Sequence, residues 1–288
     1  MKRSQSSITA EGIAFSRAKE SQKPEGERIC FDPYARLFVS RWLWITMSLF
    51  WGYGLWRSPG VFEYLASRTR YIDDTLLACL ADGLQQLVIL GAGFDSRAYR
   101  FEHLKEQVKV FEVDHPATQA VKLAKVKQIF GGLPDHVTYV AIDFDRDSLE
   151  KRMAECGYSP HLKTLFIWEG VVFYLTSEAI DGTLDFIAHH ALPGSLVIYD
   201  YIYTSSFAGD QKRTEIKSMQ RYRDLTGEGP RFSIDEGAIQ SFMEQRGFCD
   251  VVNADHSYWK EHYFTGANAN RPLAKGYAIA TAKVKNSI

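Results

Sequence analysis

The sequence has few cysteines and no motif that would use them together. Its 288 residues include four cysteines, Cys30, Cys79, Cys156 and Cys249, and none of these lies in a Cys-x-x-Cys pair. This spacing argues against a disulfide scaffold and against a zinc cluster, so we expect no metal. The first residues also lack the apolar segment of a signal peptide. We therefore expect a reduced, cytoplasmic compartment.

An excess of basic charge is absent as well. Lys and Arg number 34 and Asp and Glu number 35, which gives a formal net charge of −1. General nucleic-acid binders usually carry a basic excess, so we predict no nucleic-acid partner. Hydrophobic residues make up 45% of the chain, which is typical of a folded protein with a large core.

The main apolar run is too short to span a membrane. It covers Trp42–Trp56 (WLWITMSLFWGYGLW), 15 residues interrupted by Gly52 and Gly54 and flanked by Arg41 and Arg57. A spanning helix needs about 20 residues, so we predict no membrane span. Three interpretations of this run stay open: a buried helix and turn, a lid or pocket wall for an apolar substrate, and a contact with a membrane surface.

Strand-like and helix-like segments alternate in the second part of the chain. The predicted strands are Gln86–Leu90, Val108–Val113, Val137–Ile142, Thr164–Trp168, Ser195–Tyr199 and Tyr277–Val284. Helical patterns lie at Thr118–Phe130, Ser148–Cys156, Ser177–His189 (with Ser177 as its cap) and Gly237–Gln245. Such alternation predicts βαβ units and a mostly parallel sheet. We expect residues 1–80 to form a helical cap within the same domain as an α/β core over residues 81–288.

The ends of the predicted strands carry the most informative residues. The first strand ends in Gly91-Ala92-Gly93, and the later ones end in the acids Asp114, Asp143, Glu169 and Asp200. Parallel α/β sheets bind ligands in the crevice outside these strand ends, and glycines there let the backbone approach the ligand. A dinucleotide fingerprint needs a third glycine where this chain has Ser96, which favours a ligand without a pyrophosphate.

Three of the acids have a ligand interpretation and a structural alternative. Asp114, 21 residues after Gly93, is placed to accept hydrogen bonds from a ribose diol, or is a solvated loop acid or helix cap. Asp143 beside Phe144 suits an adenine, although acids in this segment could instead cap a helix. Glu169 can hold an ammonium group, or is a buried, paired structural acid.

An adenosine, an ammonium group and no pyrophosphate together describe S-adenosylmethionine. The carboxylate of that molecule needs a cation, and Arg68, Arg70 and Arg17 are the candidates, because arginine binds carboxylates with two parallel hydrogen bonds. A surface ion pair is the alternative for each of them.

A set of short motifs runs in order along nearly the whole chain. The set comprises Arg17-Ala18 with Glu20, Phe31-Asp32-Pro33-Tyr34-Ala35, Arg68-Thr69-Arg70, Val88–Arg97, Glu112-Val113-Asp114-His115-Pro116, Asp143-Phe144, Glu169–Leu175, and Gly227-Glu228 ahead of Arg231-Phe232. In this set the sequence resembles the leucine carboxyl methyltransferase family, most closely its bacterial branch of S-adenosylmethionine-dependent O-methyltransferases.

The resemblance implies a fold and a set of cofactor-binding residues. The fold is an α/β, Rossmann-like class I methyltransferase, a mostly parallel seven-stranded sheet with helices on both faces and an added helical N-terminal cap. The cofactor is S-adenosylmethionine, with S-adenosylhomocysteine as its product and no metal. The implied binding residues are Arg17, Arg68, Gly91, Ala92, Gly93, Asp114, His115, Asp143, Phe144 and Glu169.

The expected partner is a small-molecule methyl acceptor with a carboxylate or hydroxyl oxygen, which could be aromatic or polyketide-like. A carboxylate is already ionised and needs no general base, whereas a phenol or alcohol is helped by one. Side chains near strand ends that could face the acceptor are Tyr174, Tyr201, His115, Asp200 and Tyr203.

Two other functions stay open at the level of sequence. An NAD-dependent oxidoreductase would share the glycines and the ribose acid, although Ser96, Asp143 and Glu169 argue against it. A cofactor-binding module without turnover is the second, because methyl transfer requires few obligatory catalytic side chains. The sequence does not fix the oligomeric state.

Overall fold

A seven-stranded sheet forms the centre of the computed structural model, which describes residues 5–143, 147–207 and 229–286. Its strands are β1 (Gln86–Leu90), β2 (Lys109–Asp114), β3 (Val137–Ala141), β4 (Thr164–Trp168), β5 (Leu196–Ile202), β6 (Phe248–Ala254) and β7 (Tyr277–Val284). Their order in the sheet is β3-β2-β1-β4-β5-β7-β6. Neighbouring strands are parallel except where β7 pairs with β5 and with β6. The predicted seven-stranded, mostly parallel sheet is confirmed.

In the part of the chain that the structure describes, five helices precede the sheet and the others connect its strands. They are α1 (Gln5–Ser21), α2 (Ala35–Phe38), α3 (Arg41–Leu49), α4 (Trp51–Arg57), α5 (Val61–Ala81), α6 (Arg97–Arg100), α7 (Glu102–Gln107), α8 (Pro116–Phe130), α9 (Leu149–Glu155), α10 (Ser177–His190), α11 (Ile239–Glu244) and α12 (His256–Tyr263). The predicted N-terminal helices are therefore present.

The side chains of each strand alternate between two buried clusters, one on each face of the sheet. Leu87 and Ile89 of β1 join the cluster that includes residues of α1, α5, α8 and α12. Val88 and Leu90 join the other cluster, with residues of α9, α10 and α11. Because both faces are covered, β1 is buried along its whole length, as expected for a central parallel strand. Helices on both faces are thus confirmed.

Two local features differ from the prediction. Strand β6 was not predicted, because Asp250 and Asn253 interrupt its apolar residues and both residue types are depleted in strands. Its register shifts between Cys249 and Val252, and Asp250 adopts a positive φ of 51°. The cap of α10 is Thr176, whose hydroxyl accepts a hydrogen bond from the Ala179 N–H at 3.3 Å, so the prediction of Ser177 as the cap is wrong.

Helices α3 and α4 carry the apolar run. Neither helix contains a fully buried residue, so its interpretation as a buried helix and turn is wrong. Among the described residues, no helix is both long and apolar enough to cross a membrane.

Candidate functional site

The carboxyl ends of β2, β1 and β4 lie side by side at one edge of the sheet. The register pairs Leu90 with Val113, and β1 pairs with β4 on its other side. The glycine loop (residues 91–93) follows β1, Asp114 is the last residue of β2, and Glu169 follows β4. The structure therefore brings the predicted glycines and two of the predicted acids together.

The glycine loop turns tightly after β1. The N–H groups of Gly91 and Ala92 donate to the Val113 carbonyl at 2.8 and 3.1 Å, which ties the loop to the end of β2. Gly91 has a φ of +67°, and a Cβ at this position would lie 2.4 Å from Cγ2 of Val171. Conformation and space therefore both require glycine here.

Asp114 is fixed beside the loop by two backbone hydrogen bonds. Its Oδ2 accepts from the Gly93 N–H at 2.6 Å and its Oδ1 from the His115 N–H at 2.7 Å. Burial raises the pKa of this carboxyl above its usual value, against these two hydrogen bonds. Each carboxylate oxygen has a second lone pair, so both can still accept from a ligand hydroxyl.

His115 caps the helix that follows β2. Its Nδ1 accepts a hydrogen bond from the Ala117 N–H at 3.2 Å, at the first turn of α8. Nδ1 is therefore occupied by a backbone N–H, and only Nε2 of His115 remains for a ligand or a proton.

Glu169 lies between two arginines at the end of β4. Its Oε1 is 3.0 Å from Nη2 of Arg68, and its Oε2 accepts from Nη1 of Arg97 at 2.7 Å. Burial by itself raises the pKa of Glu169, but the charges of Arg97 and Arg68 outweigh it and hold the pKa below its usual value. Glu169 is therefore a carboxylate at neutral pH.

One oxygen of this carboxylate is not fully used. Oε1 of Glu169 is buried, and although Arg68 is close enough for an ion pair, Oε1 accepts no hydrogen bond from the described residues. A buried carboxylate oxygen without a donor is costly. An ammonium group at this edge of the sheet would supply the missing donor, so the site fits the amino group of S-adenosylmethionine.

Asp200 is fully buried and is held by three donors. Its Oδ2 accepts from the Tyr64 hydroxyl at 2.7 Å and from Nη1 of Arg68, and its Oδ1 accepts from the Gly170 N–H at 2.6 Å. This carboxylate therefore connects α5, β5 and the turn after β4. The geometry gives it a role in the ion-pair network around Arg68.

The other two predicted arginines have different surroundings. Arg17 is buried, with its Nε 2.8 Å from Oδ2 of Asp32 and its Nη2 donating to the Phe94 carbonyl at 2.6 Å, directly beyond the glycine loop. Arg70 is exposed and pairs with Asp74, four residues on, at 2.7 Å. Of the pair Arg68 and Arg70, only Arg68 thus lies at the site.

Arg97 was not predicted as a site residue. It is buried and donates from Nη1 to Asp95 and Glu169, and from Nε to Asp73 at 2.7 Å. It joins the segment after the glycine loop to the end of β4 and to the middle of α5. The sequence signal that could have identified it is its position in the motif Val88–Arg97. Of the three acids that it contacts, however, only Asp95 is near it in the sequence.

A buried ion pair contacts the backbone of the glycine loop. Nζ of Lys122 lies 2.8 Å from Oε2 of Glu112 and 3.4 Å from the carbonyl oxygen of Ala92. Burial raises the pKa of Glu112 to about 7, although the charge of Lys122 opposes this. These residues were also not predicted at the site.

The predicted adenine partners lie only partly within the described residues. Asp143 follows β3, and its N–H donates to Oδ2 of Asp147 at 2.8 Å. Phe144 lies outside the described residues, as do Gly227 and Glu228 of the last motif.

The predicted acceptor-facing tyrosines contact β6 and neighbouring rings. The Tyr201 hydroxyl donates to Oδ1 of Asn253 at 3.1 Å, and Nδ2 of Asn253 donates to the Tyr203 hydroxyl at 2.9 Å. Burial raises the pKa of Tyr201 far above its usual value, so it stays protonated at neutral pH. Tyr174 is partly buried and packs against Phe173, with 4.5 Å between ring centroids.

Over the ranges that the structure describes, no group of three or more His, Cys, Asp or Glu side chains could hold a metal ion.

Comparison with known proteins gives consistent matches. The family described as leucine carboxyl methyltransferase matches residues 10–188. A Bacillus subtilis protein named "Putative S-adenosyl-L-methionine-dependent methyltransferase YktD" is 30% identical over 63% of this chain and 59% of its own length. A Mycolicibacterium smegmatis protein with a similar name is 33% identical over 67% of this chain and 66% of its own length. The matched part of the chain therefore spans less than two thirds of these relatives.

Among solved structures, magnesium protoporphyrin IX methyltransferase from Synechocystis, with bound S-adenosylhomocysteine, is 13% identical. It has a TM-score of 0.47, and the alignment covers 84% of this chain and 98% of that one.

Proposed function

Because this chain belongs to the leucine carboxyl methyltransferase family, we propose that it transfers the methyl group of S-adenosylmethionine to an oxygen atom of a small molecule. S-adenosylmethionine supplies an electrophilic methyl group on a sulfonium, and S-adenosylhomocysteine is left after transfer. The acceptor oxygen belongs to a carboxylate or a hydroxyl group.

The arrangement of two acids on either side of the glycine loop carries this proposal. Asp114 ends β2 and Glu169 follows β4, the two neighbours of β1, and the loop lies between them. We assign Asp114 to the ribose hydroxyls, because both of its oxygens can still accept. We assign Glu169 to the amino group, because its Oε1 is buried without a hydrogen-bond donor among the described residues.

The remaining cofactor contacts follow the same edge of the sheet. Asp143 and Phe144 after β3 are proposed for the adenine. Arg17 and Arg68 are proposed for the carboxylate, and Arg68 also holds Glu169 and Asp200 in place. The backbone of the glycine loop lies close to where the methionine part would bind.

The protein's own contribution to the reaction is positioning. In-line displacement at the sulfonium carbon needs the acceptor oxygen aligned and water excluded, and such alignment supplies much of the acceleration in comparable reactions. A carboxylate acceptor would need no proton transfer. A hydroxyl acceptor would lose a proton to Nε2 of His115 or to solvent, because the high pKa of Tyr201 makes its phenolate inaccessible at neutral pH.

Calorimetric titration tests the cofactor assignment. Purified protein is titrated in parallel with S-adenosylmethionine, S-adenosylhomocysteine and NAD⁺. We expect dissociation constants in about the micromolar range for the first two, and no heat from NAD⁺. Binding of NAD⁺ alone would overturn the proposal and would favour an oxidoreductase.

Two matched variants make the titration specific. Asp114→Asn removes one acceptor beside the loop, and we expect it to weaken S-adenosylhomocysteine binding by about tenfold or more, as for the loss of a charged hydrogen-bond partner. Asp185→Asn, an exposed acid on α10, is the control and should leave binding unchanged. Once binding is established, turnover is measured with panels of carboxylate and phenol acceptors. Binding without turnover on any acceptor would indicate a silent cofactor-binding module.

A further inference from the structure

Helices α3 and α4 are apolar on two opposite sides. On the inner side, the rings of Trp44 and Trp51 pack against Phe15 of α1 at centroid distances of 5.0 and 5.5 Å, and Trp51 also packs against Phe62 at 4.3 Å. Helices that are apolar all round are normally buried, within a protein or in a membrane. This pair has no fully buried residue.

The outer side forms one continuous apolar surface. Hydrogen bonds from the Phe50 N–H to Thr46 and from the Gly54 N–H to Phe50 continue the helical path across the junction. With that continuity, residues spaced by three or four positions share one face. The outer face consists of Trp42, Ile45, Leu49, Tyr53 and Trp56, with Phe50 beside it.

These side chains are strongly exposed. Trp42 and Trp56 each expose 75% of their surface and Leu49 exposes 77%. Isolated apolar residues on a protein surface need no explanation, but a contiguous patch of this kind marks an interaction site. The surface therefore needs a partner.

The charged side chains within the segment that carries this surface are all basic. Residues 33–62 contain three arginines, Arg36, Arg41 and Arg57, and no Asp or Glu. The guanidinium group of Arg36 lies over the ring of Trp44, 4.3 Å from its centroid. Arg41 and Arg57 stand at the two ends of the helix pair, and neither forms an ion pair with any residue that the structure describes. A negatively charged partner would match this pattern.

We propose that the outer face of α3 and α4 docks on an anionic lipid surface, with the two helices lying in the plane of the interface. Interfacial helices bury an apolar face at the boundary between headgroups and acyl chains and place basic residues beside anionic lipids. Tryptophan and tyrosine concentrate at this depth because their rings are apolar and carry one polar atom. At 17 residues from Arg41 to Arg57, the pair is about 25 Å long, which suits lying on the surface.

A second copy of the chain is a poorer match for the same surface. In a twofold dimer the same patch meets itself, so each arginine would face a surface that carries arginines and no acid. Repulsion between the arginines opposes such a dimer. Anionic lipid headgroups instead attract the arginines, and each arginine near the membrane surface raises the affinity for it by about fivefold.

The docking surface lies one helix away from the glycine loop. Phe15 of α1 contacts the inner side of α3 and α4, and a Cβ on Gly93 would lie 3.5 Å from the Cβ of Ala10 in the same helix. When the protein is docked on a membrane, the crevice at the carboxyl ends of its strands would therefore lie near the membrane surface. The proposal itself does not depend on the reaction that takes place in the crevice.

Vesicle flotation of the full chain tests the proposal. The probes are vesicles of phosphatidylcholine alone and of phosphatidylcholine with about one third phosphatidylglycerol, at low and high salt. We expect the protein to float with the anionic vesicles, to float weakly with the neutral ones, and to be released by salt. No flotation with either vesicle would overturn the proposal.

Variants locate the contact on the molecule. Leu49→Gln, and Trp42→Gln combined with Trp56→Gln, should each reduce anionic-vesicle binding by about tenfold or more, because interfacial affinity scales with the apolar area buried. Leu77→Gln on α5 is the matched control, since Leu77 is also an exposed helical leucine, and it should bind like the wild type. Arg41→Gln with Arg57→Gln should remove most of the preference for anionic over neutral vesicles.

Light scattering without vesicles tests whether a second copy of the chain binds to this surface instead. A dimer in the wild type that dissociates in Leu49→Gln would assign the surface to a second copy and would overturn the lipid proposal. Thermal unfolding of every variant shows whether it is folded. A variant that fails this check is replaced by the other one, because Leu49 and the two tryptophans probe the same surface separately.

Discussion

The side chains of Lys122 and Glu112 form a buried ion pair directly below the glycine loop, with 2.8 Å between Nζ and Oε2. Each of the two residues exposes only 1% of its surface. Since Nζ of Lys122 also reaches the Ala92 carbonyl at 3.4 Å, the pair links the stability of the core to the position of the loop.

Replacement of the cation should be strongly destabilising. Lys122→Met leaves Glu112 without its cation, and at a pH well above 7, where the wild type buries Glu112 as a carboxylate, we expect the free energy of unfolding to fall by about 3–5 kcal/mol. Denaturant unfolding followed by circular dichroism measures this. Adding Glu112→Gln to Lys122→Met should recover a large part of the loss, because no unpaired charge remains. A double variant as unstable as the single one would contradict this account.

The same glutamate should make stability depend on pH. Its pKa is raised by burial from 4.5 to about 7 in the folded chain, so the folded state holds its proton more tightly than the unfolded state. The stability from Glu112 is therefore fully present below about pH 4.5 and is lost as the pH rises to about 7, a loss on the order of 3 kcal/mol. Unfolding free energies of the wild type and of Glu112→Gln, measured across this range, should differ in slope. Parallel curves would show that Glu112 does not cause the pH dependence of stability.

Gly91 should tolerate substitution less well than another glycine with a similar backbone conformation. Gly91→Ala adds a Cβ 2.4 Å from Val171 to the strain of a positive φ, whereas at Gly131, with a φ of +77°, a Cβ would meet nothing within 4 Å. We expect Gly131→Ala to cost about 1–2 kcal/mol and Gly91→Ala clearly more. Thermal unfolding compares the two variants.

Val171→Ala provides a second check on the origin of that difference. It removes the Cγ2 atom and leaves the nearest atom, the Val171 Cβ, at 3.5 Å. We expect the double variant Gly91→Ala, Val171→Ala to be less destabilised than the sum of the two single ones, by about 0.5–3 kcal/mol. Additive losses would show that the clash is relieved elsewhere.

Two arginines on one helix should differ sharply in their effect. Arg68→Met leaves Asp200 buried without a cation and leaves Glu169 with Arg97 alone, and we expect a loss of about 3–5 kcal/mol in unfolding free energy. Arg70→Met breaks an exposed pair with Asp74, for which less than about 1 kcal/mol is expected. Denaturant unfolding of the two variants side by side gives the comparison. Equal losses would contradict the placement of Arg68 in the buried network.

Most of the strands that the sequence predicted are buried on both faces; β3, at the opposite edge of the sheet from β6, is only half-buried. β1 and β4 are continuous apolar runs, because helices cover them on both sides, and such runs are visible without knowledge of the fold. β6 lies at the edge of the sheet, and its residues alternate between buried and exposed positions. Its sequence, FCDVVNA, is interrupted by Asp250 and Asn253, and both residue types are depleted in strands.

The partners within the site depend on the fold itself. The position of Glu169 at a strand end follows from the pattern of the sequence, but its two cations do not. Arg97 precedes it by 72 residues, and Arg68 comes from a helix that lies outside the βαβ pattern. Interactions of this range require the sheet order and the packing of α5, which local sequence patterns do not specify.

The strand order has a consequence for how the chain is synthesised. β7 inserts between β5 and β6, so the ribosome releases both neighbours before the strand that joins them. Until Tyr277–Val284 emerge, the nascent chain displays an open edge on β5, and β6 has no place on the sheet. The sheet can therefore be completed only after β7 has been synthesised, and until then the exposed strand edge is a site at which the chain can aggregate.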